Sequence, residues 1–119
     1  MTTQPDDISD LIPLREPTFF ILLSLAQGEK HGYAILKDVE AVSEGNVTLS
    51  TGTLYEALAR LLDQGLIERV ESASDAGHPG RPRKHYRLSA RGLRVMQAET
   101  ARLQALLVAA QQRLSAQGA

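Results

Sequence analysis

The last part of the chain constrains the fold most, because it contains a helical segment that a domain of 119 residues does not need for its own core. Ser89 is a good N-cap, and the segment from there to Leu114 spans about 26 residues. Its mainly apolar positions recur at alternating spacings of three and four, as in helices that pack against a partner helix. We therefore predict a homodimer joined through this stripe. The stripe consists of Leu93, Met96, Thr100, Leu103, Leu107, Ala110 and Leu114.

A first helix is predicted to begin near Pro17 and to end before Gly28. Its side chains are apolar on nearly every side, so the helix must be buried on more than one face. Two placements remain open. The helix lies at the centre of its own domain, or it lies between that core and a partner subunit. In the second case Phe19, Phe20 and Leu23 contribute to the dimer interface.

Two amphipathic helices are predicted to follow. The second helix begins at His31 and ends at Gly45, with apolar side chains at helical spacing. The third is capped by Ser50 or Thr51 and is closed by Gly65. One face of the third helix is an apolar stripe, and the other face has small, hydroxylated side chains in its first turns. Such a face can approach DNA closely.

Two short extended segments, Leu66 to Glu71 and Lys84 to Leu88, flank a loop that contains four glycine and proline residues. This loop, SASDAGHPGRPR, is too long for a tight hairpin turn. The order of elements is three helices, a strand, a loop, a strand and a long helix. It indicates a winged helix-turn-helix domain with an appended dimerisation helix. The predicted fold class is therefore mainly α with a small β-hairpin.

The chain is expected to have three parts. Residues 1–13 show no clear period and are expected to form an arm that is disordered or ordered by a partner. Residues 14–88 form the DNA-binding domain, and residues 89–119 form the dimerisation helix with a frayed tail. The sequence has no cysteine, no signal peptide and no membrane-spanning run. We therefore expect a cytoplasmic protein that does not associate with the membrane.

Charge is distributed unevenly along the chain. Residues 1–75 contain 5 Lys and Arg against 13 Asp and Glu, whereas residues 76–119 contain 8 against 1. Six basic residues fall within 14 positions, which is a local footprint for binding a polyanion. The last three of these are expected to frame phosphates or the rim of the site. The six residues are Arg81, Arg83, Lys84, Arg87, Arg91 and Arg94.

Three surfaces are expected to contact double-stranded operator DNA. The first turns of the third helix are predicted to enter the major groove. The basic loop is predicted to enter the minor groove, because its prolines hold arginine in an extended segment. The start of the second helix is predicted to bind a backbone phosphate. For each surface, the alternative is that its residues cap a helix, pack within the protein or carry solvated charge. The predicted contacts are Ser50, Thr51, Thr53, Tyr55, Arg60, Arg81, Arg83, Lys84, Tyr33 and Lys37.

Catalysis is not expected. The sequence shows no nucleophile with a base, no carboxylate pair and no phosphate-binding glycine loop. The three histidines, His31, His78 and His85, do not have metal-ligand spacing and are not accompanied by cysteine. We therefore predict no catalytic residue, no metal site and no cofactor.

Three blocks of sequence resemble the PadR family of transcriptional regulators. They are HGYAI from His31 to Ile35, TGTLYEALARLLDQGLI from Thr51 to Ile67, and GRPRKHYRLSARG from Gly80 to Gly92. The chain is similar to the shorter subgroup, which has one C-terminal helix. It departs from the common pattern at His85, where a second aromatic residue often stands, and at Leu62, where an acidic residue is frequent. The resemblance implies a cytoplasmic, dimeric, DNA-binding regulator, usually a repressor.

The resemblance also implies that a small-molecule effector lowers the affinity for DNA. The expected pocket lies between the final helices and the first helix, and its lining residues are Phe20, Met96, Leu103 and Leu107. Plain dimer packing is the alternative role of these four side chains. A second function class is also open, namely a dimeric winged-helix adaptor that binds proteins and no specific DNA. Such an adaptor would have a wing depleted of charge, whereas the wing here is basic.

Overall fold

The computed structural model describes residues 7–71 and 84–118. The predicted contacts Arg81 and Arg83 lie outside the described residues, as does His78. The helices are α1 (Glu16–Ala26), α2 (Gly32–Val42), α3 (Thr51–Asp63) and α4 (Ala90–Gln117), and the strands are β1 (Lys30–His31), β2 (Ile67–Val70) and β3 (His85–Leu88). This order confirms the predicted fold class. No helix in the described ranges has the length and hydropathy to span a bilayer.

The sheet has one strand more than the predicted hairpin. Its order is β1-β3-β2, and both pairings are antiparallel. The additional strand β1 ends at His31, which the sequence analysis places in the second helix. His31 is the N-cap of α2, and its Nδ1 accepts a hydrogen bond of 3.3 Å from the backbone N–H of Ala34. An N-cap residue has an extended backbone, so it can also pair with a strand.

Helix α1 lies at the centre of the core. Ile21, Leu22 and Leu25 are almost fully buried, and they pack with buried side chains from the other helices and the sheet. Phe19, Phe20 and Leu23 are partly buried against the same core. The prediction that α1 is buried on more than one face therefore agrees with its position in a single subunit. The side chains from α2, α3 and α4 are Ile35, Val39, Leu54, Leu58, Leu61, Val95 and Met96.

Part of the N-terminal arm packs against the chain's own domain. The sequence pattern predicts that residues 1–13 are disordered or ordered by a partner. Residues 9–11 form a short 3₁₀ helix, and Ile8, Leu11 and Ile12 are partly buried against the core. For residues 7–13 the expectation is therefore corrected. These apolar side chains are spaced too irregularly for a periodic signal, but they still cover apolar surface of the helices.

A buried carboxylate anchors the end of this arm. Glu99 on α4 is 1% exposed and accepts a hydrogen bond of 2.9 Å from the backbone N–H of Leu14. Arg102 donates two more bonds, of 2.7 Å from Nε and 2.9 Å from Nη2. The hydrogen bond from Arg102 lowers the pKa of Glu99, although burial acts in the opposite direction. Glu99 is therefore held as a carboxylate that joins the arm to α4.

Helix α4 has two different halves. Its first turns belong to the core, where Gly92, Val95 and Met96 are buried beside Glu99. Residues 103–118 are exposed along their whole length. The predicted boundary at residue 89 therefore marks the start of the helix, and the helix leaves the domain only after Arg102. The exposed half presents several large apolar side chains. They are Leu103, Leu106, Leu107, Val108 and Leu114.

Replacement of Glu99 by glutamine is expected to lower the free energy of unfolding by about 1–3 kcal/mol. The amide is uncharged and cannot accept all three hydrogen bonds as strongly. The loss stays below that of a fully buried ion pair, because the Arg102 side chain is 34% exposed and partly screened by solvent. Urea denaturation followed by circular dichroism measures the difference.

The exposed Glu29→Gln variant removes the same charge and is the matched control, with an expected change below about 0.5 kcal/mol. Because the folded state lowers the pKa of Glu99, its stabilisation is present above the ordinary value of 4.5 and is lost as the pH falls through the folded value. The difference between wild type and Glu99→Gln should therefore shrink below about pH 4.5. A difference that does not depend on pH would contradict the assignment.

Candidate nucleic-acid interface

The turn between α2 and α3 is fixed by backbone conformation and one serine. Glu44 and Gly45 have positive φ angles of 54° and 81°, which reverse the chain after α2. The hydroxyl of Ser43 accepts a bond of 2.9 Å from the backbone N–H of Val47. Val47 is itself buried, so the segment that leads into α3 is anchored to the core. This geometry places the start of α3 on the surface.

The first turn of α3 is exposed and carries hydroxyl groups. Ser50 is the N-cap, as predicted, and its Oγ accepts a bond of 3.1 Å from the backbone N–H of Thr53. The same Oγ donates to Thr53 Oγ1 at 2.9 Å. Thr53 therefore keeps its own hydroxyl proton for an external acceptor. Thr51 is exposed, and no hydrogen bond to its side chain is found within the described residues.

Tyr55 lies across the start of α2. A β-carbon on Gly32 would come within 2.4 Å of the Tyr55 hydroxyl oxygen, so the two helices meet closely here. The Tyr55 side chain is 44% exposed and thus also reaches the surface. Next to it, Tyr86 of β3 is buried. Burial raises the pKa of Tyr86, and a hydrogen bond from Arg69 partly offsets this effect.

The start of α2 presents a second polar patch. Tyr33 is 62% exposed, and Lys37 Nζ lies 5.6 Å from the centre of its ring. The structure therefore places Tyr33 on the surface and not at the edge of the core. On α3, Arg60 is exposed one turn after the exposed Glu56. A phosphate that approaches the start of α2 would meet Lys37 as a cation, and one that approaches Arg60 on α3 would also meet Glu56, one turn earlier, as a repelling anion.

The strands that lead into the loop carry further charges. Lys84 is exposed directly before β3. Arg87 is paired with Glu68 across the strands at 3.0 Å, and both side chains are half exposed. Arg69, which the sequence analysis does not single out, lies opposite Tyr86 at the base of the loop. The pairing register of β2 and β3 would have identified Arg69, because it places this residue opposite Tyr86.

The end of α3 is held by the start of α4 through contacts that we call the helix clasp. Its α4 side consists of Ser89, Arg91 and Gly92, and its α3 side consists of the backbone of residues 64–66. Arg91 Nη1 donates to the carbonyl of Gln64 at 2.5 Å. Arg91 was predicted from the sequence to frame DNA phosphates, whereas its side chain is bonded to the end of α3.

The predicted dimerisation residues fall into two groups. The first group is exposed on α4 and consists of Leu93, Thr100, Leu103, Leu107, Ala110 and Leu114. The second group contacts the subunit's own core, fully in the case of Met96 and partly for Phe19, Phe20 and Leu23. The predicted effector residues divide in the same way. Leu103 and Leu107 are exposed, and Phe20 and Met96 pack within the domain.

Comparison with known proteins matches a family model over most of the domain. The model described as the Transcriptional regulator PadR-like family covers residues 21–98. Transcriptional regulator YqjI of Escherichia coli K12 is 40% identical over 47 residues, which are 40% of this chain and 23% of that protein. The match therefore spans less than a quarter of the length of this curated relative.

Two solved structures illustrate the likeness of the fold. A PadR family transcription regulator from Clostridium difficile R20291 has a TM-score of 0.66 and 25% identity, and the match covers 82% of this chain and 96% of that chain. The Bacillus subtilis PadR, solved in complex with operator DNA, has a TM-score of 0.61 and 23% identity. Its match covers 71% of this chain and 46% of that chain. The winged-helix fold predicted from the sequence is thereby confirmed.

Replacement of Ser50 by alanine is expected to lower the free energy of unfolding by about 0.5–2 kcal/mol, because the N–H of Thr53 loses its acceptor. Ser50→Asp keeps an acceptor at the helix N-terminus, so the expected loss is below about 0.5 kcal/mol. Urea denaturation compares the two variants, with the exposed Ser115→Ala variant as the control. Equal losses for alanine and aspartate would show that the cap does not stabilise α3.

Proposed function

Because the chain belongs to the PadR-like family of transcriptional regulators, we propose that it binds double-stranded operator DNA as a homodimer and thereby controls transcription. The observation that carries the proposal is the exposed first turn of α3, where Thr51 and Thr53 have hydroxyl groups available for acceptors. The Bacillus subtilis relative, which shares the fold, was solved with operator DNA. We infer the same class of ligand for this chain.

The proposed contact uses the start of α3 as the reading element. Backbone N–H groups at a helix N-terminus attract phosphates, and hydroxyl groups can donate to phosphates or to base edges. Tyr55 is half exposed on the same helix, and Lys37 and Arg60 add positive charge at the margins. Lys84, exposed directly before β3, adds a further positive charge next to the basic loop of residues 72–83. The predicted minor-groove contacts Arg81 and Arg83 belong to that loop.

The proposed dimer is joined through the exposed half of α4. The helix extends about 22 Å beyond Arg102 at 1.5 Å per residue. Leu103, Leu107 and Leu114 are 38%, 50% and 71% exposed in the single subunit. A second α4 packed along them would exclude water from all three. Complete burial of a leucine contributes about 1.5–3 kcal/mol, and each of these residues gains the part that corresponds to its exposed fraction, before the cost of association. Leu106 lies beside this stripe and would widen the contact.

Repression, control by a small molecule and a cytoplasmic location complete the proposal. An effector would act where it can change the separation of the two α3 helices, which is between the α4 helices and α1. Leu103 and Leu107 are open to such a ligand, whereas Met96 would be reached only after the core had moved. Lower expression of a reporter gene behind the operator, in cells that contain the protein, supports repression over activation.

We expect the purified protein to shift one or a few genomic DNA fragments, its own promoter region included, in a saturable manner at about 150 mM salt. Two recognition helices related by a two-fold axis should protect half-sites whose centres are about 10 base pairs apart. Gel shifts followed by footprinting test both points. A single, asymmetric half-site would contradict the dimer geometry. Weak and equal shifts of all fragments, or no shift, would favour the protein-binding adaptor.

The double variant Arg81→Ala, Arg83→Ala is expected to flatten the salt dependence of operator binding. Each lost phosphate contact reduces the slope of log K against log salt by about 0.9, so two contacts reduce it by about 1.8. The control is Arg113→Ala, which removes one charge from an exposed position near the end of α4, so its slope should equal that of the wild type. Equal slopes for the loop variant and the wild type would reject the role of the loop.

A further inference from the structure

The helix clasp fixes the position of α3 through three consecutive carbonyl groups. Arg91 Nη1 donates to Gln64 at 2.5 Å, Ser89 Oγ donates to Gly65 at 2.6 Å, and Ser89 N–H donates to Leu66 at 3.1 Å. The last carbonyls of a helix have no partner within the helix and form the negative end of its dipole. The guanidinium therefore stabilises the end of α3 by charge as well as by hydrogen bonding.

The clasp leaves little room for movement. A β-carbon on Gly92 would lie 2.0 Å from the carbonyl oxygen of Leu66 and 3.0 Å from its carbon, and both atoms belong to the backbone. Arg91 Nε is buried and has no hydrogen-bond partner within the described ranges. An unpaired buried donor costs free energy. Because not all of its donors are paired, the Arg91 guanidinium is held in place by the surrounding contacts of the clasp.

A small rotation at the clasp has a large effect at the other end of α3. The helix has 13 residues and Ser50 lies at its far end, about 20 Å from the clasp. A tilt of about 5° would therefore move the first turn of α3 by nearly 2 Å. In a two-fold dimer both first turns move, so their separation would change by about 3–4 Å. This is close to the rise of one base pair, about 3.4 Å.

We infer that Arg91 is a positioning residue that determines which spacing of operator half-sites the dimer accepts. The inference rests on the proposed function, because spacing has a meaning only for a dimer on a two-part operator. Helix α4 runs without interruption from the clasp to its exposed stripe, so the dimer contact and the angle of α3 belong to one rigid unit. Arg91 acts through Gln64 and makes no contact with DNA.

The test uses the full chain and palindromic forms of the selected operator. Their half-site spacing is one base pair shorter, unchanged or one base pair longer. We expect the wild type to prefer its own spacing by about tenfold, a difference of the size that a mismatched base pair produces. Arg91→Gln should reduce this preference at least threefold, and Arg91→Lys should fall in between because it keeps the charge at the end of α3. Arg113→Gln, at the exposed end of α4, is the control for loss of charge and should match the wild type.

Thermal unfolding and sedimentation show whether each variant is folded and dimeric, and Arg91→Lys carries the test if Arg91→Gln does not fold. A spacing preference equal to that of the wild type would overturn the inference. So would an equal loss of affinity at all three spacings with a salt slope reduced by about one, because this is the signature of a direct phosphate contact. A wild type that selects no operator would overturn the proposed function and the inference with it.

Discussion

The fold depends on a contact between two backbone segments, at which α3, the sheet and α4 meet. Leu66 follows α3 and precedes β2, and its carbonyl accepts a hydrogen bond from the N–H of Ser89, which stands between β3 and α4. Gly92 completes the contact, because any side chain at this position would collide with Leu66 backbone atoms. The colliding atoms belong to the backbone and cannot rotate away as a side chain could, so a larger residue would have to move α4 or the strand. The orientation of the reading helix and that of the long helix are thus determined together.

The burial of Glu99 has an electrostatic consequence for the proposed DNA surface. It is the single acidic residue among residues 76–119, which contain eight basic ones. Since it is 1% exposed and bonded to Arg102, its charge is compensated inside the protein. Among residues 84–118, the exposed charged side chains are therefore all basic. The carboxylates that would repel a polyanion belong to other segments, such as Glu68 beside Arg87 and Glu56 on α3.

The sequence predicted the helices well because each has local start and stop signals. Ser50 and Ser89 cap α3 and α4 as expected, and Gly45 and Gly65 lie in the turns that follow α2 and α3. These signals act within a few residues, so they are visible without knowledge of the fold. The apolar stripe of α4 could be predicted for the same reason. Periodicity does not show whether each side chain is buried by the subunit's own core or by a second subunit. Met96 therefore counted as a dimer residue, although it packs in the core of its own subunit.

What the sequence could not predict depends on contacts between distant segments. Strand β1 has two residues and no period, and it exists because β3 lies beside it. Residues 7–13 pack against the core through Ile8, Leu11 and Ile12, and the adjacent hydrogen bond joins Leu14 and Glu99, which are 85 positions apart. From the sequence, Arg91 was predicted to bind DNA phosphates. A basic residue in the sequence does not show whether its acceptor is DNA or a backbone carbonyl. Only the placement of α3 beside α4 distinguishes the two cases.

The strand order β1-β3-β2 also influences how copies of the protein can associate. Strand β3 lies in the middle and pairs with both other strands. The two edge strands are therefore β1, with two residues, and β2, with four residues. The outer strand β2 carries the charged residues Glu68 and Arg69. Short, charged edges are poor templates for strand addition and for cross-β aggregation. Association between copies through the sheet edges is therefore disfavoured, whereas the exposed apolar side chains of α4 offer a better surface for it.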